Sequence, residues 1–256
     1  MNKNAKKISA VIITKNSERL IADVLKSIQW CDEIVIVDSG SSDNTLEICK
    51  KYNCKIFYKE FNGFGEQKNF AVNKASNDWI LSIDADEIIT NELREEIKFR
   101  LANDAEKYAG YYIPRNLFFF GKLLNFGGSK IKRKLRLFNK KYGNFNLNKV
   151  HESVELSSDK IGQLTNKILH YSYASTSDYF VKFNSYTDIA AEELLKKNKF
   201  KNFCGIVIRF PLEFLRRYIL QLGILDGRAG LVWCLFCAFY PVVKYLKLYE
   251  LKIIKK

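Results

Sequence analysis

The chain has 256 residues, 47% hydrophobic and 27% charged, a composition that excludes an intrinsically disordered protein and fits a soluble or peripheral membrane protein. The formal net charge of +14 is unevenly distributed, because residues 1–110 carry 16 basic and 18 acidic side chains, residues 111–175 carry 12 and 3, and residues 176–256 carry 14 and 7. Ten basic and no acidic residues lie from Tyr111 to Lys149, which predicts a surface that faces a polyanion.

The first hundred residues alternate between two kinds of pattern. Short apolar runs at 8–13, 34–37, 55–58 and 79–83 are typical of strands buried on both faces of a sheet. Helical patterns lie between them: one capped by Ser17, one capped by Asp43 or Asn44 and running to about Tyr52, and one from Glu66 to Ala75. This alternation predicts a parallel sheet wound with helices.

The second half of the chain shows weaker secondary-structure patterns. Residues 111–175 look mixed, and residues 178–198 favour a helix. From about Phe203 to Tyr249 the chain is apolar and aromatic, interrupted by Pro211, by Leu225-Asp226-Gly227-Arg228 and by Pro241. Its longest uncharged stretch, 229–243, is shorter than the roughly 20 residues that a spanning helix needs. Flanking arginines and lysines favour helices that lie in an anionic membrane interface, and a buried helical hairpin is the alternative.

The cysteines and the N-terminal segment indicate in which cellular compartment the protein is expected. The six cysteines form no disulfide or zinc framework, since the pair Cys234 and Cys237 lies in an apolar run without a second pair. Such usage favours a reducing compartment. The apolar stretch from Ile8 to Ile13 is too short for a signal-peptide core, so a cytoplasmic protein is expected.

Polar residues follow three of the predicted strands, where the carboxyl ends of parallel strands would gather them at one edge of the sheet. These turns contain Thr14-Lys15-Asn16, Asp38-Ser39-Gly40 and Asp84-Ala85-Asp86. A D-x-D pair is a weak motif alone, but at a strand end it can hold a divalent cation together with substrate phosphates. No glycine-rich dinucleotide or P-loop motif follows a strand, so the pattern predicts a nucleotide site built from carboxylates and a metal.

The same turns resemble the successive motifs of family 2 glycosyltransferases with a GT-A fold, in the segments V-I-I-T-K-N, V-I-V-D-S-G-S-S-D-N-T, Q-K-N and S-I-D-A-D-E. Further segments are similar to the branch that builds the lipopolysaccharide inner core, including β-1,4-glucosyltransferases that place glucose on the first heptose: K-L-R-L-F, V-H-E, L-H-Y-S-Y and L-D-G-R-A-G. The resemblance covers almost the whole chain. It implies an α/β GT-A fold, with a Rossmann-like, mostly parallel sheet, and a helical, membrane-associating C-terminal extension.

The resemblance also implies a nucleotide-sugar pocket formed by Thr14, Asn16, Asp38, Lys68 and Asp84. Asp38 would accept the base N–H, although Ser39 stands where many members have a second acid. Lys68 stands where many members have arginine, and an ammonium is less able than a guanidinium to make a bidentate contact. Asp84 would lie near the ribose or the metal.

The remaining roles concern metal, base and acceptor. Asp86 would bind Mg²⁺ or Mn²⁺ with His170, whose alternative is a core histidine. Glu152 would be the base that removes the acceptor proton, its alternative being a surface glutamate paired with a lysine. Acceptor binding is assigned to His151, Arg133, Lys134 and Arg136. The basic stretch at 130–136 is also compatible with a strand whose charges are simply solvated.

Taken together, these patterns divide the chain into a nucleotide-sugar half (1–110), an acceptor and catalytic half (111–175) and a helical amphipathic extension (176–256). The function that the resemblance implies is inverting transfer of a hexose, glucose from UDP-glucose, to an inner-core heptose, and the C-terminal segment predicts a location at the inner face of the cytoplasmic membrane. Family 2 transfer to another cell-surface glycan or lipid-linked acceptor is the alternative, and a basic nucleic-acid-binding module is a remote one.

Overall fold

The computed structural model describes residues 6–129, 131–147, 152–173, 175–197 and 203–254. Backbone contacts group these residues into two compact units. The sheet unit comprises the described residues up to Arg115 together with those from Lys132 to His170, and the helical unit comprises those from Asn116 to Ile131 and from Tyr171 onward. The predicted division of donor and acceptor functions near residues 110 and 175 stays a prediction.

The strands of the described residues follow the predicted order in the first hundred residues. They are β1 (Ile8–Thr14), β2 (Glu33–Asp38), β3 (Lys55–Tyr58), β4 (Trp79–Asp84), β5 (Glu87–Ile89), β6 (Gly110–Phe119), β7 (Lys122–Leu123), β8 (Ile131–Asn139), β9 (Gly143–Phe145), β10 (Val154–Leu156), β11 (Ile161–Gln163) and β12 (Ile168–His170). The main sheet runs in the order β3-β2-β1-β4-β8-β6-β12-β5, with β11 and β7 paired to β6, and β9 pairs with β10.

Register brings the predicted site turns to one edge. β1 pairs in parallel with β2 and β4, so Thr14 lies opposite Asp38 and Ile13 lies opposite Asp84. The three strands therefore end at the same level of the sheet, as predicted from the alternation of strands and helices. β8 adds to β4 in antiparallel orientation, which brings a basic strand next to the strand that ends in Asp84.

Burial agrees with the apolar runs, with one exception. β1, β2 and β4 contribute residues buried on both faces of the sheet. β3 is the edge strand of the order, and its end residues Lys55 and Tyr58 are exposed. The prediction that 55–58 is buried on both faces is therefore wrong, because an edge strand has a neighbour on one side only.

The predicted helices of the sheet unit are confirmed as α1 (Glu18–Ile28), α2 (Thr45–Lys51) and α3 (Phe64–Lys74), and α4 (Asn91–Asn103) follows β5. Ser17 and Asn44 are the N-cap residues of α1 and α2, but their side chains make no capping bond. Instead, Oδ2 of Asp43 accepts from the backbone N of Glu18 at 3.1 Å. The first turns of α1 and α2 are thus tied to one another at the sheet edge.

The helical unit contains the predicted helix at 178–198 and the apolar C-terminus. Its helices are α5 (Thr176–Lys196), α6 (Phe203–Val207), α7 (Arg209–Leu215), a π-helical turn (Arg216–Leu220), a 3₁₀ turn (Gly223–Asp226) and α8 (Gly227–Ile254). The prediction that Pro241 interrupts the apolar segment is wrong, since α8 continues through it. Packing against α5 offsets the missing backbone donor, because Tyr179 contacts Phe236 and Phe183 contacts Phe239 and Tyr240.

One helix of the described residues is long and apolar enough to cross a membrane by length and composition, within Gly223–Ile253. Its most apolar window has a mean hydropathy of 1.6, and only 28% of that window is buried in the structure. A core helix of a soluble protein would be mostly buried. The low burial favours contact of this surface with something outside the described chain.

The start of α8 explains the L-D-G-R-A-G segment structurally. Oδ2 of the buried Asp226 accepts from the backbone N of Asn125 at 2.9 Å and of Phe126 at 2.8 Å. Any Cβ at Gly230 would lie 2.1 Å from the backbone oxygen of Gly223, so only glycine fits there. This segment therefore holds the 3₁₀ turn and the loop at 125–128 together within the helical unit.

Candidate active site

The candidate site lies at the carboxyl edge of the sheet unit, around the turn that joins β4 to β5. Asp84 ends β4, Asp86 lies in the turn, and Glu87 begins β5. β5 pairs with β12 in antiparallel orientation, with His170 opposite Glu87. Side chains that are far apart in sequence therefore meet around one short acidic segment.

Asp84 is surrounded by cations: Lys68 and Arg136 contact it closely, and Nη1 of Arg115 lies 3.7 Å from its Oδ2. Oδ1 lies 2.8 Å from Nζ of Lys68, and Oδ2 lies 2.5 Å from Nη2 of Arg136. Burial raises the pKa of Asp84, but the adjacent Arg136 and Lys68 outweigh it and hold the pKa well below its usual range. Asp84 is therefore ionised and already paired, which leaves it little capacity to bind a metal.

Behind Asp84 lies a fully buried glutamate that the sequence analysis did not assign to any role. Glu87 is 0% exposed, and its Oε1 lies 2.7 Å from Nη1 of Arg115 and 3.2 Å from Nη2 of Arg136. Its Oε2 accepts from the backbone N of Asp84 at 3.0 Å. Arg115 gave no sequence signal, because nothing local distinguishes it from other basic residues of its stretch.

Arg136 differs from its predicted surroundings. Arg136 was predicted to face the acceptor. Its side chain is instead 3% exposed and is paired with Asp84 and Glu87. Those carboxylates raise its pKa against the opposing effect of burial. The reason is the alternation of β8, which turns Leu135 and Leu137 to one face of the strand and Arg136 to the other.

Glu152, the predicted base, lies in this cluster. Its Oε1 is 2.7 Å from Nζ of Lys68, the same ammonium that contacts Asp84, and its side chain is 12% exposed. It is therefore paired with a lysine, as in the alternative interpretation, but it does not lie on an open surface. Burial raises the pKa of Glu152, yet Lys68 outweighs it and the pKa lies below its ordinary value.

Asp86 and His170, the predicted metal ligands, are brought together next to the cluster. Nε2 of His170 lies 3.3 Å from Oδ2 of Asp86. Within the described residues no group of three or more His, Cys, Asp or Glu side chains is arranged to hold a metal. A carboxylate and an imidazole alone fit a cation that takes most of its ligands from water and substrate phosphates, as Mg²⁺ commonly does.

The neighbouring strand ends carry the residues expected to contact the nucleotide. The hydroxyl of Thr14 is buried and has no hydrogen-bond partner within the described part of the chain. Oδ2 of Asp38 accepts from the backbone N of Gly40 at 2.7 Å and of Ser41 at 2.9 Å. Asp38 therefore shapes its own turn, whereas Thr14 is left with an unused polar group.

Asn16 connects two of these turns. It has a positive φ of 49°, its backbone N donates to Oγ of Ser41 at 2.9 Å, and its Oδ1 accepts from the backbone N of Ser42 at 2.8 Å. Asparagine tolerates this left-handed conformation better than most residues. Its side chain thus fixes the loop after β1 against the loop after β2.

Arg133 and Lys134, on the basic strand β8, differ in their contacts. Arg133 is exposed and hydrogen-bonds with Gln163. Lys134 is half-buried and, within the described part of the chain, makes no ion pair. Burial and repulsion from Arg136 and Arg115 lower the pKa of Lys134. An anion that entered the site would relieve this repulsion. His151 and Lys130 lie outside the described residues.

Comparison with known proteins assigns this chain to a family. The family model described as glycosyl transferase family 2 matches residues 9–152. An uncharacterized glycosyltransferase of Rickettsia typhi is 33% identical over 97% of this chain and 88% of its own length. The lipopolysaccharide core biosynthesis glycosyltransferase LpsC of Rhizobium meliloti is 28% identical over 97% of this chain and 94% of its own length.

The structure is similar to that of S. aureus TarS 1-349 in complex with UDP, with a TM-score of 0.50 and 18% sequence identity over 98% of this chain and 92% of that chain. At this identity the likeness concerns the fold alone, and it confirms the predicted GT-A fold. The family match covers more than half of the chain, and the relatives named above are glycosyltransferases. The chain therefore belongs to glycosyl transferase family 2 and is a glycosyltransferase.

Proposed function

We propose that the protein is an inverting transferase that moves glucose from UDP-glucose to a heptose of the lipopolysaccharide inner core. The observation that carries the proposal is the position of Glu152, 2.7 Å from Lys68 and beside Asp84 at the carboxyl edge of the sheet. Similarity to LpsC, whose name gives a role in lipopolysaccharide core biosynthesis, supports the acceptor class. The TarS complex with UDP supports UDP as the nucleotide that this fold accommodates.

The donor would lie across the ends of β1, β2 and β4. Thr14, with its unpartnered buried hydroxyl, would contact the nucleoside, and Asp38 and Asn16 would shape the pocket around the base. Lys68 would face the diphosphate. A buried polar group without a partner is costly in a folded protein, so a hydroxyl donor or acceptor on the ligand is the simplest explanation for Thr14.

Asp86 and His170 would hold Mg²⁺ or Mn²⁺, and the charges around them support a cation with the donor. Among the described residues of the site, four cationic side chains (Lys68, Arg115, Lys134, Arg136) equal in number four carboxylates (Asp84, Asp86, Glu87, Glu152). A diphosphate would therefore leave uncompensated negative charge in a partly buried site. When bound, the cation neutralises charge on the departing diphosphate.

Glu152 would act as the general base. Its carboxylate takes the proton of the acceptor hydroxyl while that oxygen forms a bond to the anomeric carbon of glucose. The bond from the anomeric carbon to the diphosphate oxygen breaks at the same time, and its electron pair leaves with the diphosphate. A single displacement of this kind inverts the anomeric configuration.

The acceptor would be bound by the basic strand. Arg133 and Lys134, together with His151, would meet phosphates on the inner core, because the stretch around them carries no acidic residue. We assign Arg136 differently from the sequence analysis, since its guanidinium is used by Asp84 and Glu87. Its role would be to hold Asp84 in place.

The helical unit would dock on the inner face of the cytoplasmic membrane. Many large apolar side chains from α7 onward are exposed: Leu212, Leu215, Ile219, Leu220, Leu222, Ile224, Leu225, Leu231, Leu235, Phe239, Leu246, Tyr249 and Ile253. Arginines and lysines lie among them, which suits an anionic lipid surface. A lipid-linked acceptor would be presented at the same surface.

A donor and acceptor screen tests the proposed reaction. Release of nucleoside diphosphate is measured with Mn²⁺ for UDP-glucose, UDP-galactose, UDP-N-acetylglucosamine and GDP- or ADP-sugars, with a phosphorylated heptose-containing core oligosaccharide as acceptor. We expect the highest kcat/KM for UDP-glucose and a β-linked product on heptose. An α-linked product would contradict inversion. Transfer only to a different glycan would support the alternative acceptor.

The metal assignment is tested by Asp86→Ala, with Asp78→Ala as the control. The side chain of Asp78 is 45% exposed and pairs with Lys141, and the residue directly precedes β4, at the end opposite Asp84. We expect Asp86→Ala to abolish metal-dependent transfer while the urea unfolding curve stays close to that of the wild type, and Asp78→Ala to retain activity. Full activity of Asp86→Ala in metal-depleted buffer would contradict the assignment.

Co-sedimentation of the full chain with anionic phosphatidylglycerol vesicles tests docking. We compare Leu220→Glu with Phe99→Glu, an exposed residue of α4 in the sheet unit. Loss of one inserted leucine corresponds to about 1.5–3 kcal/mol, or roughly tenfold or more in partitioning. A wild-type protein that stays in the supernatant at low salt would contradict docking.

A further inference from the structure

Lys68 lies between two carboxylates that differ in the number of other cations beside them. Its Nζ lies 2.8 Å from Asp84 and 2.7 Å from Glu152, its side chain is 3% exposed, and the ring of Phe145 lies 5.5 Å from it. Within the described residues, Lys68 is the only cation in ion-pair distance of Glu152. Asp84, in contrast, keeps Arg136 whether or not Lys68 is present.

This asymmetry has a consequence for the base. An oxygen of Glu152 that already accepts from an ammonium is poorly available for the proton of an acceptor hydroxyl. Lys68 lowers the pKa of Glu152 despite the opposing effect of burial, which weakens the carboxylate as a base. The charged groups that face Glu152 are Lys68 from α3, Asp84 from the end of β4, and Lys134 and Arg136 from β8. A change at Lys68 therefore has the largest effect on it.

We propose that Lys68 is a positioning residue that couples donor binding to activation of the base. The negatively charged diphosphate of the donor draws the Lys68 ammonium away from Glu152, and the freed carboxylate then faces the acceptor. Asp84 stays fixed throughout because of Arg136. The inference rests on the proposed donor class and on Glu152 as the base, and it adds an order of events in which the donor binds before the base becomes competent.

The test measures the pKa of Glu152 without measuring activity. The full chain is labelled with glutamate carrying ¹³C at the carboxyl carbon, and the Glu152 signal is identified by its loss in Glu152→Gln. The pH titration is run with Mg²⁺ alone, with Mg²⁺ and uridine, and with Mg²⁺ and saturating UDP. We expect UDP to raise the proton affinity of Glu152 by at least tenfold and uridine to leave it unchanged.

Variants separate the movement of Lys68 from the direct effect of the UDP charge. In Lys68→Met, the pKa of Glu152 should be raised before UDP is added, and the further rise with UDP should be several-fold smaller than in the wild type. Lys68→Gln, whose amide still donates to Asp84, serves the same purpose if Lys68→Met does not fold. Lys74→Met, an exposed lysine on the same helix, is the matched control and should behave as the wild type.

Two failures are distinguishable. Calorimetry that detects no binding of UDP would overturn both the UDP donor class and the coupling that depends on it. Binding of UDP with no rise in the pKa of Glu152, or with the same rise in Lys68→Met as in the wild type, would overturn the coupling alone and leave the proposed transferase reaction intact.

Discussion

Replacing Glu152 with glutamine is the most direct perturbation of the candidate site. The amide keeps the shape of the side chain but cannot accept a proton. Lys68 would retain Asp84 at 2.8 Å, and the glutamine oxygen still offers it an acceptor. The substitution therefore removes one chemical capability and leaves the surrounding contacts nearly complete.

The expected magnitudes differ for catalysis and for stability. Loss of a general base lowers turnover by roughly 10²–10⁴-fold, which corresponds to about 3–5 kcal/mol of transition-state stabilisation. Breaking a buried ion pair outright typically costs 3–5 kcal/mol of stability. Because Lys68 keeps one carboxylate and gains a neutral acceptor, we expect a loss of only about 1 kcal/mol from the free energy of unfolding.

The assay combines three measurements on Glu152→Gln and on Glu155→Gln, an exposed glutamate of β10 that serves as the control. Single-turnover transfer reports the chemical step, calorimetry reports donor affinity, and urea unfolding reports stability. We expect a large loss of turnover with nearly unchanged donor affinity. Turnover within tenfold of the wild type, or a donor affinity that falls as steeply as turnover, would refute the assignment of Glu152 as the base.

Three further substitutions test other parts of the sheet unit. Arg136→Met removes a buried cation from Asp84, which keeps Lys68 and Arg115, and from Glu87, which keeps Arg115. We therefore expect a loss of about 3 kcal/mol in urea unfolding, against less than about 0.5 kcal/mol for the exposed Arg133→Met. Burial raises the pKa of Glu33, but hydrogen bonds outweigh it and lower the pKa to about 2. The stability lost in Glu33→Gln, about 2 kcal/mol, should therefore be fully present above pH 4.5 and disappear as the pH falls toward 2. Thr14→Val removes the unpartnered buried hydroxyl, so donor affinity in calorimetry should fall by about 3–10-fold with unchanged or slightly increased thermal stability; an unchanged donor affinity would contradict the nucleoside contact.

The elements of the sheet unit were predictable because their signals are local. An apolar run bounded by turn residues predicts β1, β2 and β4 wherever they pair, and helical periodicity predicts α1 and α3. The burial of β3 could not be predicted, since a strand's place at the edge depends on the order of the whole sheet. The continuation of α8 through Pro241 escaped prediction for a related reason: packing against α5, which lies far away in sequence, stabilises it.

The candidate site divides in the same way. The carboxylates of the D-x-D segment could be recognised from their place at a strand end, and Glu152 from the family resemblance of the V-H-E segment. The structure brings Lys68, Asp84 and Glu152 together. The partners of Glu87 could not be recognised, because Arg115 and Arg136 reach it from strands 28 and 49 residues further along the chain. The basic residues of β8 were predicted to form one surface, but successive residues of a strand lie on opposite faces. Only the pairing of β8 in the sheet determines which face meets the site.

The two aspartates of the short acidic segment lie in different surroundings. Between β4 and β5 the backbone turns, so successive carboxylates enter different surroundings. Asp84 meets Lys68 and Arg136, which use both of its oxygens, whereas Asp86 faces His170 and stays partly exposed. The first aspartate is therefore part of the charged cluster that contains Lys68 and Glu152, and we propose the second as a ligand of the cation. The D-x-D spacing in the sequence identifies the two carboxylates, and the conformation of the turn between β4 and β5 determines which groups surround each of them.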